Sequence, residues 1–381
     1  MATGSDPGGS SVPGGTFGRG GASGPGSTSL PGRDADLGSA PDPDSAPDPG
    51  DPGSVRARAT AIDTHAHVYP AWYLDRLEEI GVDPQSTRIA RGLGADSTGQ
   101  DLAERFRWMD RARVGLQVLA VTPQVPSGPD PASSLAAARE VNDHYADLVR
   151  GRPDRFLAYG TLPLPHIRES LAEIPRIFGE LGMAGVSVTT LAGGLSLASS
   201  ELDPVWEALD EHGAVVNIHP TGCGARSPMI TEHRLEWVNG APVEDATATL
   251  HLLKADVPRR FPRLRFHIAH LGGDLPFLAQ RIEDNYEDWN AFPASPNEVL
   301  RTMWFDAANF HTPSLQLAAA TLGASQILAG SDHPYFQREK YVRAFHYVRR
   351  APLSEADIDA VLTGNAAALY GLEGNGRAGG R

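Results

Sequence analysis

Ala61-Ile62-Asp63-Thr64-His65-Ala66-His67-Val68 decides how this chain is read. The stretch opens on an apolar, β-favouring run and ends with two histidines two positions apart. On a strand, side chains at i and i+2 leave the same face, so His65 and His67 aim at one point. A point that two imidazoles can share is a seat for a metal ion. The stretch therefore reads as the first strand of a domain whose later strands supply the rest of a metal site.

Upstream of it, from Met1 to about Val55, the sequence is built from Gly, Pro, Ser and Asp, as in Ala40-Pro41-Asp42-Pro43-Asp44. Such a segment buries too little apolar surface to offset its ordering entropy, so residues 1–58 are expected to be a disordered tail. It has no apolar stretch of the kind that marks a secretory signal. No part of the chain is long and apolar enough to span a bilayer. Residues 59–373 are expected to form one catalytic domain, and 374–381 a flexible C-terminus. The single cysteine, Cys223, rules out an intramolecular disulfide and fits a reducing, cytoplasmic setting. The formal net charge is −14, from 33 basic and 47 acidic residues, with no basic run, which argues against a nucleic-acid partner.

Downstream, short apolar strands alternate with longer amphipathic segments. The expected strands are Ala61–Val68, Leu116–Thr122, Phe156–Leu162, Gly185–Thr189, Ala214–His219, Leu264–His270, Met303–Ala307 and Ile327–Gly330. Helical patterns fall between them, among them Leu102–Ala112, Ser133–Arg150, Val243–Val257 and Asp274–Trp289. Eight strands alternating with helices imply a parallel sheet, and closing it makes a (β/α)8 TIM barrel. Two connections exceed the usual length, Tyr69–Gln100 after the first strand and Pro220–Ala241 after the fifth. Both leave the C-terminal end of a strand, where long loops form lids or substrate walls.

Several strands end in a polar group where a core strand would simply stop. The first ends at His65 and His67, and the fifth at Asn217-Ile218-His219-Pro220. The sixth ends at His267-Ile268-Ala269-His270-Leu271-Gly272-Gly273, and the eighth at Gly330-Ser331-Asp332-His333-Pro334. In a parallel barrel these ends converge on one mouth. A single strand-end histidine is commonly a packing residue, and Asp332 alone could cap a turn. Their coincidence at one end of four strands, in a chain with 13 histidines, points instead to metal and proton chemistry by His65, His67, His219, His270 and Asp332. By alternation His267 is expected to face away and to pack. His144, His166, His212 and His251 lie in or near helical segments and are expected to pack as well. His233, His311 and His333 remain neighbours of the mouth without an assigned role.

Taken together, Asp63-x-His65-x-His67, His219-Pro220, His270-Leu271-Gly272-Gly273 and Gly330-Ser331-Asp332-His333-Pro334 resemble the amidohydrolase superfamily. Within it they resemble the branch of aminocarboxymuconate-semialdehyde and hydroxybenzoate-type decarboxylases, over Ile62 to Leu372. Supporting stretches are Arg155–Pro163, Phe261-Pro262-Arg263-Leu264 and Gly364-Asn365-Ala366-Ala367. The resemblance implies a TIM barrel with one divalent ion, zinc being expected and manganese the alternative. It implies His65, His67, His219 and Asp332 as ligands and His270 as the catalytic histidine. Binuclear members of the superfamily use a lysine at the end of the fourth strand. Here that strand reads Gly185-Val186-Ser187-Val188-Thr189-Thr190, and the only lysines, Lys254 and Lys340, are not placed to serve. Trp237 matches a tryptophan that walls the substrate pocket. Arg281 matches an arginine that reaches a neighbouring subunit's site and pairs with a substrate carboxylate, so a homodimer or a dimer-based tetramer is implied. The chain departs from the common His-Gly-Gly-Gly pattern at Leu271 and from the usual small residue at Asp274.

The expected reaction is non-oxidative decarboxylation of an aromatic or unsaturated carboxylic acid, with the proton supplied by His270 or Asp332. The alternative with the same ligands is hydrolysis of a lactone, ester or amide. No organic cofactor is implied, because no GxGxxG joins a strand to a helix and no P-loop or flavin motif occurs. A non-catalytic barrel would need broken ligands, and none of the five is missing.

Overall fold

Strand β1, Ala61–His67, is buried along its whole length. A strand hidden on both faces belongs in a parallel sheet covered by helices. A computed structural model of the chain, which describes residues 60–372, shows that sheet. The expected tail (1–58) and C-terminus (374–381) lie outside the described residues.

After β1 come β2 (Val114–Ala120), β3 (Phe156–Thr161), β4 (Gly185–Thr189), β5 (Val215–His219), β6 (Arg265–Ile268), β7 (Trp304–Asp306) and β8 (Ile327–Leu328). They pair in sequence order, and every pair is parallel. The seam between β8 and β1 is closed by three backbone bonds. Thr64 donates to the Ala329 carbonyl (2.9 Å), Asp332 to that of His65 (2.8 Å) and His67 to that of His333 (2.7 Å). The result is the (β/α)8 barrel that the sequence implied.

Alternation along the strands sorts the core into two parts. Val215, Val118, Tyr159 and Ile62 belong to a small cluster inside the barrel, joined by Ala366 and Leu369 from the C-terminal helix Asn365–Tyr370. Val216, Ile218, Leu119 and Phe266 belong to the larger layer between sheet and helices. Asn217 and His219 continue the inward series begun by Val215, so β5 turns from apolar to polar as it approaches its C-terminal end. Helices α1 (Ala71–Glu79), α2 (Gly99–Ala112), α3 (Pro131–Gly151), α4 (Ile167–Gly179), α5 (Asp203–Glu211), α6 (Ala241–Lys254), α7 (Leu275–Trp289), α8 (Thr312–Leu322) and α9 (Glu339–Arg349) surround the strands. No helix among the described residues is long and apolar enough to cross a membrane.

Three local features differ from the reading of the sequence. The sixth strand stops at Ile268 rather than His270, because His270 and Leu271 take left-handed conformations (φ 52° and 57°). The connection after β1 contains α1, with Tyr73, Leu74 and Leu77 buried, so much of it is packed helix rather than open loop. A small antiparallel hairpin, Leu191–Ala192 with Leu195–Ser196, follows β4.

Candidate metal centre and active site

Each expected ligand reaches the mouth from a different part of the barrel. Along β1 the pairing steps from Asp63↔Gln117 to Ala66↔Leu119, three residues against two, which is a bulge beside His65. His65 and His67 nevertheless both face inward, with ring centroids 5.2 Å apart. His219 is the last residue of β5 and completes a triangle of rings 5.0–5.2 Å apart, mutually close to perpendicular. Asp332 sits in the turn after β8 with φ 54°, a left-handed conformation that a short polar side chain tolerates better than most. Gly330 lets that turn approach, since a Cβ there would lie 2.9 Å from the Cβ of His65 and 3.1 Å from that of Asp306.

The donor atoms converge. One atom each from His65, His67, His219 and Asp332 lie within 4.8 Å of one another, all on buried residues. The Asp332 Oδ1 is 3.3 Å from His67 Nε2 and 3.5 Å from His65 Nε2. Ligands about 2.0–2.2 Å from an ion are themselves roughly 3–4.4 Å apart, and the two Asp332 distances fall in that range.

Orientation of the rings is set from behind. His65 Nδ1 is 3.0 Å from Asp306 Oδ2, His67 Nδ1 is 3.2 Å from the Ala120 carbonyl, and His219 Nδ1 is 2.9 Å from the Pro220 carbonyl. A ring that donates through Nδ1 presents the lone pair of Nε2, the form that binds a metal. The Nε2 atoms of His65 and His219 are buried and have no hydrogen-bond partner. Orphaned buried acceptors are costly, and a cation between them would satisfy them. Burial pushes the pKa of His67 down and that of His219 well down, which favours the neutral, ligating ring. The residues present therefore fit one divalent ion. Among the described residues this is the only group of its kind. The end of β4 offers Ser187 and Thr189, while Lys254 reaches the Ala291 carbonyl on the outside.

Beside this cluster stands His270. Its Nδ1 is 2.8 Å from Asp245 Oδ2 on α6, and its Nε2 faces Asp332 Oδ2 at 3.7 Å. Burial works against a charged ring, but the two carboxylates outweigh it and hold the His270 pKa well above its ordinary value. This favours the charged ring, whose other nitrogen, Nε2, is turned to the ligand cluster.

The mouth opens into a cavity of about 660 Å³. Its floor includes His219, His270 and Asp332, and its walls include Trp237, Phe310, Tyr335 and Phe336. Trp237 stands over Tyr335 with centroids 6.4 Å apart and planes 15° from parallel. Arg281 lies elsewhere: it is exposed on α7, and no carboxylate among the described residues pairs with it.

Residues that the sequence reading passed over hold the site together. His267 does not face away. It points into the barrel, bonding Asp306 Oδ2 at 3.1 Å and the Tyr159 hydroxyl at 3.0 Å. Alternation failed as a guide because the strand ends and the backbone turns between the two histidines. Asp306 joins His65 to His267, and those rings hold its carboxyl well below the usual range although burial opposes the charge. Asp306 ends the seventh strand with a polar group, the same signal that marked the other strands. Asp245 gave no such sign, because beside Glu244 it reads as part of a solvated helix face. Glu244 is buried too, accepting from Thr221 N (2.7 Å), Gly224 N (2.8 Å) and the Thr190 hydroxyl (2.8 Å). His333 is buried edge-on against Tyr341, whereas His233 and His311 are exposed. His144, His166, His212 and His251 pack or bond outside the cluster, as expected.

Comparison with known proteins agrees with this geometry. The Amidohydro_2 model of the amidohydrolase family matches residues 62–372. The 2-amino-3-carboxymuconate-6-semialdehyde decarboxylase of Dictyostelium discoideum is 29% identical over 338 residues, covering 84% of this chain and 93% of that protein. A gamma-resorcylate decarboxylase from a Rhizobium species is 27% identical over 293 residues, covering 71% and 87%. Among solved structures, a dihydroxybenzoic acid decarboxylase from a Polaromonas species, with bound manganese and the inhibitor 2-nitroresorcinol, has the same fold. Its TM-score is 0.70 at 22% identity, over 82% of this chain and 97% of that one. A family match across the whole barrel, meeting a ligand set assembled at the ends of its strands, places this chain in the amidohydrolase family of enzymes, in the branch whose curated relatives are decarboxylases.

Proposed function

We propose that this chain is a metal-dependent, non-oxidative decarboxylase of an aromatic or unsaturated carboxylic acid with a hydroxyl or carbonyl next to the carboxylate. The observation that carries the reading is the juxtaposition of three convergent imidazoles with His270, itself held by Asp245, on the floor of an aromatic-walled cavity. When bound, a divalent ion supplies Lewis acidity and an anchor for the carboxylate and its neighbouring oxygen. His65, His67, His219 and Asp332 hold it; the donor set suits zinc, and manganese is the ion in the Polaromonas neighbour.

The chain's own residues then supply binding and a proton. Trp237 and Tyr335 offer flat apolar faces to a planar substrate. The bond to the carboxylate breaks, its electron pair stays on the substrate carbon, and carbon dioxide leaves. His270 delivers its Nε2 proton to that carbon, and a new C–H bond forms. Asp332 Oδ2, which faces the same nitrogen, steers or relays the proton. Asp245 keeps the ring oriented and charged. In this reading the working unit is a homodimer in which Arg281 serves the partner's substrate. Its exposure supports this, as does Phe277, one turn earlier on α7 and 79% exposed.

The test is anaerobic incubation with a panel of hydroxybenzoates and muconate semialdehydes, with elemental analysis of the same sample. Carbon dioxide release with one ion per chain is expected, and the analysis distinguishes zinc from manganese. Acid release from a neutral lactone, without carbon dioxide from any member of the panel, would replace this reading with a hydrolase.

A further inference from the structure

Arg343 projects from α9, the helix that follows the Asp332 turn, into the cavity that holds His219, His270 and Asp332. Its guanidinium stands 5.9 Å from the centroid of Phe310. Arg91 and Arg111 pair with carboxylates, whereas no carboxylate among the described residues pairs with Arg343. The only carboxylate lining this cavity is Asp332, which faces the three ligand histidines and His270. The remaining lining residues are apolar or aromatic, apart from Asn309. The cavity thus has a metal-binding floor and, elsewhere on its wall, one permanent cation with no counter-charge. In a chain of net charge −14 such a cation is a local attractor for anions. A guanidinium at an exposed position of a packed helix, facing an aromatic ring, is well matched to a carboxylate, which it can take in a two-point fork. The volume, about 660 Å³, falls among sites that hold ligands of drug size and leaves room beyond a single hydroxybenzoate ring.

We infer that the substrate carries a second carboxylate, received by Arg343 at the cavity wall while the reacting carboxylate lies at the ligand cluster. The inference rests on the decarboxylase reading and narrows it to dicarboxylic acids. The competing role for Arg343 is packing against Phe310 alone.

The experiment uses the full chain loaded with manganese, and Arg343→Met and Arg343→Lys with unchanged thermal unfolding. Calorimetry with two unreactive probes, isophthalate and benzoate, measures the preference for a second carboxylate. The parent is expected to bind isophthalate about 10-fold more tightly, the scale of a charge-assisted pair. Arg343→Met should abolish that preference without changing benzoate affinity, and Arg343→Lys should keep part of it. In assays, Arg343→Met should raise KM for 4-hydroxyisophthalate while leaving kcat, and both constants for salicylate, in place. Equal weakening of both probes, or an isophthalate preference that survives in Arg343→Met, overturns the inference. The second outcome would hand the role to another cation such as Arg281. Absence of carbon dioxide from every acid, with the binding preference intact and dependent on Arg343, would remove the decarboxylase reading and leave the dicarboxylate site standing.

Discussion

The floor and the wall of the cavity are built on opposite plans. On the floor each ring is tied from behind, His65 by Asp306, His67 by the Ala120 carbonyl, His219 by the Pro220 carbonyl and His270 by Asp245, and the first three are buried. On the wall, Trp237 is 44% exposed and stacks over Tyr335, and Val238 is 72% exposed. Buried, bonded groups hold positions to a fraction of an ångström, which metal binding and proton delivery require. Half-exposed aromatic faces tolerate adjustment, which suits discrimination among planar substrates. On the proposed function, chemistry belongs to the floor and substrate choice to the wall.

The two long connections show the same contrast. The segment after β1 folds into α1 and ties Arg91 to Asp75 and Glu78. The segment after β5 has Ala225, Arg226 and Arg234 at positive φ, and exposes Met229, Trp237 and Val238. Glu244 pins its first turn. Length alone suggested that both were substrate walls. The second supplies Trp237 and Val238 to the cavity, and the first supplies only Ile89.

The largest expected effect breaks the floor. His65→Ala, His67→Ala, His219→Ala or Asp332→Ala should remove the ion and activity together, read by elemental analysis and carbon dioxide release. A variant that keeps both would separate that residue from the ligand set. Next, His270→Asn should retain the ion and lower kcat by about 10²–10⁴-fold, the scale of a general acid. Unchanged turnover would move the proton source elsewhere.

Support of the floor comes third. Asp306→Asn should weaken metal affinity by about 10–100-fold. Asp245→Asn should leave affinity intact but remove the carboxylate that keeps His270 charged. A group whose pKa is raised loses its proton as pH climbs through that raised value. Without Asp245 that loss comes at lower pH, so the alkaline limb of kcat/KM should shift downward. An unmoved limb would show that Asp245 only packs.

The smallest effects test the wall. At Gly222, φ is +80° and a Cβ would meet the Trp237 ring at 2.2 Å. Gly222→Ala should displace the indole and change KM severalfold at unchanged metal content. Arg91→Ala, by contrast, removes exposed ion pairs worth below about 1 kcal/mol and should leave kinetics untouched. If Arg91→Ala altered KM as Gly222→Ala does, the two connections would have to be treated alike.

The sequence by itself determined the barrel and pointed to the four residues that could hold a metal ion. Apolar strands of period two, separated by amphipathic helices, have few other ways to bury both sheet faces. His65, His67, His219 and Asp332 were legible because a polar group at the end of an apolar strand breaks a local pattern. Asp306 carried that same signal. Only the tertiary structure decided what lies between elements. Asp245 and Glu244 sit side by side on α6 and look alike in sequence. Packing gives one to His270 and the other to the Thr221–Gly224 backbone. His267 and His270 are three residues apart, and a left-handed turn between strand and helix sends the first to Asp306 and the second to Asp245. Arg343 resembles any other helix arginine until α9 is laid beside the cavity. Local patterns record which groups are out of place along the chain, whereas partners distant in sequence are chosen by the closure of the barrel.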